Sequence, residues 1–439
     1  MPEIDKSASE MLSSLFGGDN PNCIRCGLCL PHCPTYRETG LESDSPRGRV
    51  ALIKGVAMGV LPISTITHQM YFCLDCRACE TVCPSGVKMG KLVEAARAAV
   101  EKRRRYKPLP RLFRYVAMEF LFKRPWSLNL LGMLMRMYQV VGLQALVRRL
   151  HVLRLASRNM EEIEGLVPPI PSRKDRETYR DHYPAGAPAR YRVGFFHGCV
   201  MKIFFDEANR ASIGVLVENG CSVITPKGQR CCGALHQHAG DPEGALYLAR
   251  RNIEAFERAD IDFIVVNAPG CSVLMKEYGE LLKHDPEYAE RAEAFSKKVK
   301  DITEFLVEIG LSDRMGTLNL RVAYDDPCHL LHGQGISEQP RELMRAIPGV
   351  ALVDFKESSW CCGSAGIYNV THPDLSMRLL DRKMHNIMEV SPDVILTGNP
   401  GCLIQLSYGA RRFNLKVPVI HVMQLLDMAY KARDGHGAK

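Results

Sequence analysis

The stretches CIRCGLCLPHCP, residues 23–34, and CLDCRACETVCP, residues 73–84, carry one spacing twice: cysteines at steps of three, three and four, then a proline. A tight loop with a cysteine at every third residue turns three sulfurs toward one centre, and the distant fourth ties that loop to its neighbour. Cubane iron-sulfur clusters are held by this spacing, three thiolates from one run and the fourth from the other. The pattern assigns Cys23, Cys26, Cys29 and Cys83 to a first [4Fe-4S] cluster and Cys73, Cys76, Cys79 and Cys33 to a second. Zinc knuckles built from Cys-x-x-Cys pairs are the alternative, but zinc asks for neither a third cysteine at the same step nor a Cys-Pro in both copies. Electron transfer is the expected work of such a chain.

Outward from these runs, residues 1–96 read as one small helical unit of the bacterial ferredoxin type. Its middle, SPRGRVALIKGVAMGVL from Ser45, reads as a helix opened by Ser45 and Pro46. Arg47 and Arg49 either offset the charge of sulfide and thiolate or stand solvated at the helix start. The chain of 439 residues has room for about two to four domains. Its 17 cysteines suit metal in a reducing compartment better than disulfides. The N-terminal MPEIDKSASEMLSSLFGGDN lacks the basic start and apolar core of a signal peptide, which predicts a cytoplasmic location.

The net charge of +8 is concentrated: residues 97–160 hold fifteen Lys or Arg against Glu101 and Glu119, a local +13 that leaves the rest at about −5. Residues 97–190 thus read as a basic helical connector ending in a Pro-rich linker from about 165. Within it LNLLGMLMRMYQVVGLQALV, residues 128–147, has the length of a short membrane span but carries Arg136 at its centre. A helix lying on a membrane surface or docking a partner is expected instead, with a helix packed on its own protein as the plain alternative. KRRRYKPLPRLFR at Lys102 suggests a remote alternative, a zinc-stabilised nucleic-acid binder, but the charge is confined to one connector and no cysteine run has finger spacing.

The C-terminal half repeats itself. RYRVGFFHGC to Cys199 matches LRVAYDDPC to Cys328, Cys231-Cys232-Gly233 matches Cys361-Cys362-Gly363, and DFIVVNAPGC to Cys271 matches DVILTGNPGC to Cys402, at offsets of 129, 130 and 131. Short apolar runs (VGFF, SVIT, FIVV, VILT) alternate with helical stretches, so each unit reads as a βα-repeat with a buried parallel sheet, 191–319 and 320–439. Loops at the carboxyl ends of such strands carry the chemistry of α/β folds, which brings three cysteine positions to one rim. Four candidate ligands per unit follow: Cys199, Cys231, Cys232 and Cys271, then Cys328, Cys361, Cys362 and Cys402, for one or two further iron-sulfur clusters. Cys221 corresponds to Val350 and is a buried structural thiol. His197, His236, His238, His329 and His332 flank the cysteines without matching between units, which favours packing over equivalent ligand roles. No catalytic residue and no dinucleotide-type glycine loop is found. The fold class expected is α+β overall: the ferredoxin-type domain, the basic connector and the duplicated α/β unit.

CxxCGLCLPHCPTYRETG at Cys23, SPRGR at Ser45, CLDCRACETVCPSGV at Cys73, KEYGELLKHDPEYAERA after Cys271, CCGSAGIYNVTHPDLSMRL at Cys361 and TGNPGC at Thr397 together make the chain resemble the iron-sulfur subunit of bacterial glycolate oxidase. The resemblance implies a partner subunit that oxidises a 2-hydroxy acid by hydride transfer to FAD, while this chain passes electrons singly toward a membrane quinone, from the cytoplasmic face and without a transmembrane span. Cluster subunits of anaerobic glycerol-3-phosphate dehydrogenase, D-lactate dehydrogenase and heterodisulfide-reductase-like complexes are the alternatives. In the heterodisulfide reductase subunit with the same repeats a fifth cysteine precedes the last one; here Ala268 and Asn399 stand in its place, which leaves four thiolates per unit.

Overall fold

The computed structural model describes residues 6–16, 22–156, 158–171, 179–186 and 188–433. Parts of the N-terminal stretch, the centre of the Pro-rich linker (172–178) and residues 434–439 lie outside the described residues. In the N-terminal domain the helices Lys6–Ser13, Pro46–Ala57, Thr67–Phe72 and Met89–Arg103 enclose a core of Leu12, Ile53, Ile66, Met70 and Val93. Ser45 caps the second of them, its Oγ accepting from Gly48 N at 3.0 Å, and Pro46 supplies a first residue that needs no donor. That helix is shorter than its apolar run suggests. It stops at Ala57 because Gly59 turns left-handed (φ 69°) and the amides of Val60 and Leu61 both fold back to Gly55 O, at 2.9 and 3.0 Å.

The connector is a string of bent helices. Pro108–Tyr115 runs into a wider π-type turn, Val116–Phe122, followed by Pro125–Val140 and Leu143–Arg149, which meet at 63° across Gly142 (φ 75°). The continuous helix suggested by residues 128–147 is therefore broken, and among the described residues no single helix is long and apolar enough to cross a membrane. Arg136 does not sit in an apolar midplane: its Nη1 donates to Ile170 O at 2.6 Å, and Gln139 Nε2 donates to Pro168 O at 2.9 Å. The polar edge of this helix is pinned to the chain that follows it. The opposite edge, Trp126, Leu130, Met133, Leu134 and Met137, is exposed at helical spacing.

In the first repeat, β1 (His182–Tyr183), β2 (Tyr191–Phe196), β3 (Cys221–Ile224), β4 (Phe263–Val266) and β5 (Val299–Asp301) form a sheet in the order β1-β3-β2-β4-β5, parallel except for β1. In the second, β6 (Leu320–Tyr324), β7 (Val350–Leu352), β8 (Val394–Thr397) and β9 (Val419–His421) pair as β7-β6-β8-β9, all parallel. Without β1 the two orders are the same, as duplication requires. β1 itself comes from the segment read as linker.

The two sheets bury one face of each in a single core. Val193, Phe195 and Val265 of the first unit and Val322, Tyr324 and Leu396 of the second belong to it, together with the helices Asp206–Glu218 and Val422–Arg433. Alternate strand residues face the other way, so Phe196, Ile264 and Val266 enter a second core, and Ala323 and Ile395 a third.

Candidate metal centres

Both N-terminal cysteine loops wind alike. In the first, Arg25 and Gly27 take φ of 58° and 86°; in the second, Asp75 and Arg77 take 52° and 61°, at the same places in the spacing. Leu30 N donates to Gly27 O and Cys33 N to Leu30 O, while Glu80 N donates to Arg77 O and Cys83 N to Glu80 O. Three non-glycine residues in the left-handed region are costly unless the surroundings require them, and wrapping three sulfurs around one centre is such a requirement. Cys33, from the first run, lines one cavity with Cys73, Cys76 and Cys79 of the second. Cys26 of the first loop is exposed, and Ile24 and Leu28 beside it are 66% and 55% exposed.

Arg49 and Arg47 part company. Arg49 is buried, its Nη1 3.9 Å from Cys33 Sγ and 2.5 Å from Asp44 O, its Nη2 3.0 Å from Thr35 Oγ1 and its Nε 2.8 Å from Gln69 O. A guanidinium that polar groups hold against the second cavity is placed to offset thiolate charge. Arg47 instead pairs on the surface with Glu42 at 2.7 Å.

The C-terminal cysteines lie where parallel strands end. Cys199 caps the helix Val200–Phe204 after β2, Cys328 opens Cys328–Gln334 after β6, and Cys271 and Cys402 fall in the first turns of Pro269–Lys276 and Pro400–Arg412, after β4 and β8. Helix starts present free amides and a partial positive charge to thiolates. The Cys-Cys-Gly pairs follow β3 and β7. Gly233 and Gly363 turn left-handed, and a Cβ on Gly363 would stand 2.5 Å from Ser376 O, so only glycine lets the chain pass.

Each set of four converges. In the first unit Cys199 Sγ lies 3.5 Å from Cys231 Sγ, Cys231 contacts Cys232, and Cys232 contacts Cys271; in the second Cys361 touches Cys328 and Cys362, and Cys362 touches Cys402. Neighbouring thiols and burial push up all four of the first set. In the second set, hydrogen bonds from Cys361 and Cys402, with Lys383 nearby, hold Cys362 well below its ordinary value. Four sulfurs drawn from three loops, from buried and half-buried cysteines, suit an iron-sulfur cluster. Cys221, fully buried in the shared core, stands apart from them.

The flanking histidines hold domains together. His329 Nε2 lies 3.0 Å from Asp75 O, His332 Nδ1 3.0 Å from Thr81 Oγ1 and His236 Nε2 3.0 Å from Met118 O, while His197 stacks on Tyr179. His238 Nδ1 stands 3.1 Å from Asp75 Oδ2 and 3.0 Å from Glu94 Oε1. Burial lowers its affinity for a proton, but the two carboxylates win and raise His238 to about 9. Arg77 pairs with Glu277 at 2.8 Å and Arg97 donates to Cys73 O and His238 O, so three cations face three carboxylates at this junction. That balance marks an ionic lock between the N-terminal domain and the first unit. A buried Lys383, 2.5 Å from Asp325 and donating to Ser358 O at 2.9 Å, gave no signal in the sequence; the shared register of the helices Pro242–Glu257 and Pro373–Glu389 puts it at the place of Asn252.

Known families cover the same segments: a 4Fe-4S dicluster domain at 20–87, a glycolate oxidase iron-sulfur subunit linker region at 109–167, and a cysteine-rich domain twice, at 193–276 and 322–407. A probable glycolate oxidase iron-sulfur subunit of Bacillus subtilis is 40% identical over 430 residues, 97% of each chain. The chain belongs to the glycolate oxidase iron-sulfur subunit family. The Escherichia coli glycolate oxidase iron-sulfur subunit, 32% identical over 93% of each chain, is a second member. Lactate utilization protein A of Oceanobacillus iheyensis is 28% identical over 54% of this chain and 96% of its own. Membership makes this chain an iron-sulfur electron-transfer subunit of a hydroxy-acid dehydrogenase complex, and its dicluster and cysteine-rich domains support iron-sulfur clusters as its cofactors.

Proposed function

We propose that this chain carries electrons for a glycolate dehydrogenase. A partner subunit holding FAD takes a hydride from glycolate, and this chain accepts the two electrons one at a time and delivers them to a membrane quinone. Cys23, Cys26, Cys29 and Cys83 hold one [4Fe-4S] cluster, Cys73, Cys76, Cys79 and Cys33 the second, and the two four-cysteine sets of the repeats hold further clusters. The observation that carries the reading is the convergence of the repeat cysteines into two sets of four beside a dicluster domain. Iron and acid-labile sulfide per chain, measured on protein purified without oxygen, test the cluster count. Well above eight of each is expected; about eight restricts clusters to the N-terminal loops. Bleaching near 400 nm on adding glycolate to the copurified complex tests the substrate. The Oceanobacillus relative favours lactate as the second reading, and D-lactate in place of glycolate decides between them.

The connector supports peripheral contact with the membrane. Its exposed stripe from Trp126 to Met137 lies in the segment whose local charge is +13, and apolar stripes in basic segments settle on anionic lipid surfaces. The variant with Leu130, Leu134 and Met137 changed to Glu is expected to lose flotation with phosphatidylglycerol vesicles. Unchanged flotation removes the membrane from the proposal.

A further inference from the structure

The four cysteine sets do not follow one another in space as they do in sequence. The first loop stands at the surface, with Cys26 exposed between Ile24 and Leu28. Behind it lies the cavity of Cys33, Cys73, Cys76 and Cys79. From this cavity the contact that brings cysteines together runs to the second repeat: Cys76, Leu74 and Phe72 share a small apolar cluster with Cys328, Cys361 and Tyr368, and Tyr368 Oη donates to Phe72 O at 3.1 Å. The N-terminal domain meets the first repeat through the ionic lock around His238 and Glu277, whose partners Asp75 and Arg77 also line that cavity; it is a contact of charged side chains in which no cysteine of the first repeat takes part.

The two repeat sites meet each other at Asn399. Its Oδ1 accepts from Gly270 N at 3.3 Å, next to Cys271 of the first unit, and its Nδ2 donates to Cys402 Sγ at 3.7 Å in the second. The helix Pro269–Lys276 packs along Cys328–Gln334 at the same junction. In sequence Asn399 stands where the heterodisulfide reductase subunit has its fifth cysteine; in space it is an amide bridge between two cysteine sets. Ala268, its counterpart, offers no polar side chain. Beyond the bridge, the first unit abuts the connector: Phe122 packs on the core that contains Cys231 and Cys232, and the helix Val200–Phe204, which Cys199 caps, lies against Pro125–Val140.

We propose that electrons traverse the chain in the order first loop, second loop, second repeat, first repeat, with Asn399 as the positioning residue that joins the last two sites and the connector as the far terminus. The inference rests on the reading that both repeats carry clusters. Each step moves one electron: the donor cluster is oxidised by one, the acceptor reduced by one, and no covalent bond changes. The partner's oxidation of one hydroxy acid supplies two electrons. A hydrogen bond to a cluster sulfur favours the reduced, more negative state, so the Asn399 amide raises the potential of the second-repeat site.

The test uses the full chain, purified without oxygen and followed by EPR during redox titration and after rapid freezing. The variants Cys402→Ser and Cys271→Ser identify the signals of the second and first repeats. In Asn399→Asp, which keeps the acceptor for Gly270 and loses the donor to Cys402, the reduced-to-oxidised ratio of the second-repeat signal at fixed potential is expected to fall about tenfold, equivalent to about 59 mV for one electron. The two N-terminal signals should stay in place. Cys402→Ser is expected to slow reduction of the first-repeat site at least tenfold, whereas Cys271→Ser leaves reduction of the second-repeat site at its normal rate. The order is overturned if the first repeat is still reduced at its normal rate in Cys402→Ser. The role of Asn399 is overturned if the second-repeat signal is unmoved in both Asn399→Asp and Asn399→Ala. A wild-type content of about eight iron per chain instead overturns the cluster reading on which the order stands.

Discussion

The first cysteine-rich unit surrounds its sulfurs with neutral groups, and the second sets a buried ion pair beside them. Phe196 and Asn252 in the first become Asp325 and Lys383 in the second; Asn252 Nδ2 donates to Cys231 O at 3.0 Å, and Tyr278 Oη to Cys232 O at 2.6 Å. Lys383 answers Asp325, and its charge acts on Cys362 and Cys328. Burial pushes the Asp325 carboxyl up to about 7 even with the lysine beside it, so below that pH the pair carries net positive charge. Duplication kept the strand order and the four thiols but let the charge around them diverge. A cation near a cluster favours its reduced form, so clusters held by the two sets would differ in potential.

Breaking the pair attacks this difference most strongly. Lys383→Met leaves the Asp325 carboxyl in the core without its cation, so that at pH 8 it must take up a proton to stay buried, and is expected to cost about 3–5 kcal/mol in urea unfolding of the full chain. The cost shrinks as pH falls, because a protonated Asp325 needs no cation. Adding Asp325→Leu, which makes the second unit neutral like the first, is expected to recover most of the loss. A double variant no better than the single would mean that the pair is required for folding. In the first unit, Asn252→Ala orphans Arg230 N and removes the bond to Cys231 O, at an expected cost of about 1–3 kcal/mol by the same measurement. If it costs more than Lys383→Met, the polar asymmetry has been assigned to the wrong unit.

The smallest effect separates the two junctions with the N-terminal domain. His238 titrates at about 9 in the folded chain against about 6.5 unfolded, so its contribution is complete below pH 6.5 and is lost as pH rises through 9. Hydrogen exchange is expected to speed up at residues 234–238 between pH 7 and 9.5, after correction for intrinsic rates. The apolar junction of Leu74, Tyr368 and Cys361 should not respond.

What the sequence disclosed was local or periodic. The wound cysteine loops follow from spacing within eleven residues, and the duplicated sheet follows from offsets that drift by one residue at a time. The buried pair did not, because Asp325 and Lys383 are 58 residues apart and become neighbours only when a strand end meets a helix face. Asn399 was legible as a missing ligand but not as a bridge, since its acceptor role depends on Gly270, 129 residues away. Arg47 and Arg49 were indistinguishable two residues apart; their different fates were decided by Glu42 and by the cavity at Cys33. In the connector, a mainly apolar run of helical length concealed the bend at Gly142.

The core shared by the two repeats bears on how the protein is made. Val193, Phe195 and Val265 leave the ribosome more than a hundred residues ahead of Leu396, Val422 and Leu425, which cover them. Throughout that interval the nascent first repeat presents one bare sheet face, the kind of surface on which aggregation and chaperone capture begin. Its helix Asp206–Glu218 gains its chief neighbour, Val422–Arg433, only when translation is almost finished. A cluster placed on the four thiols of the first repeat before then would be built on a sheet whose second face is still uncovered.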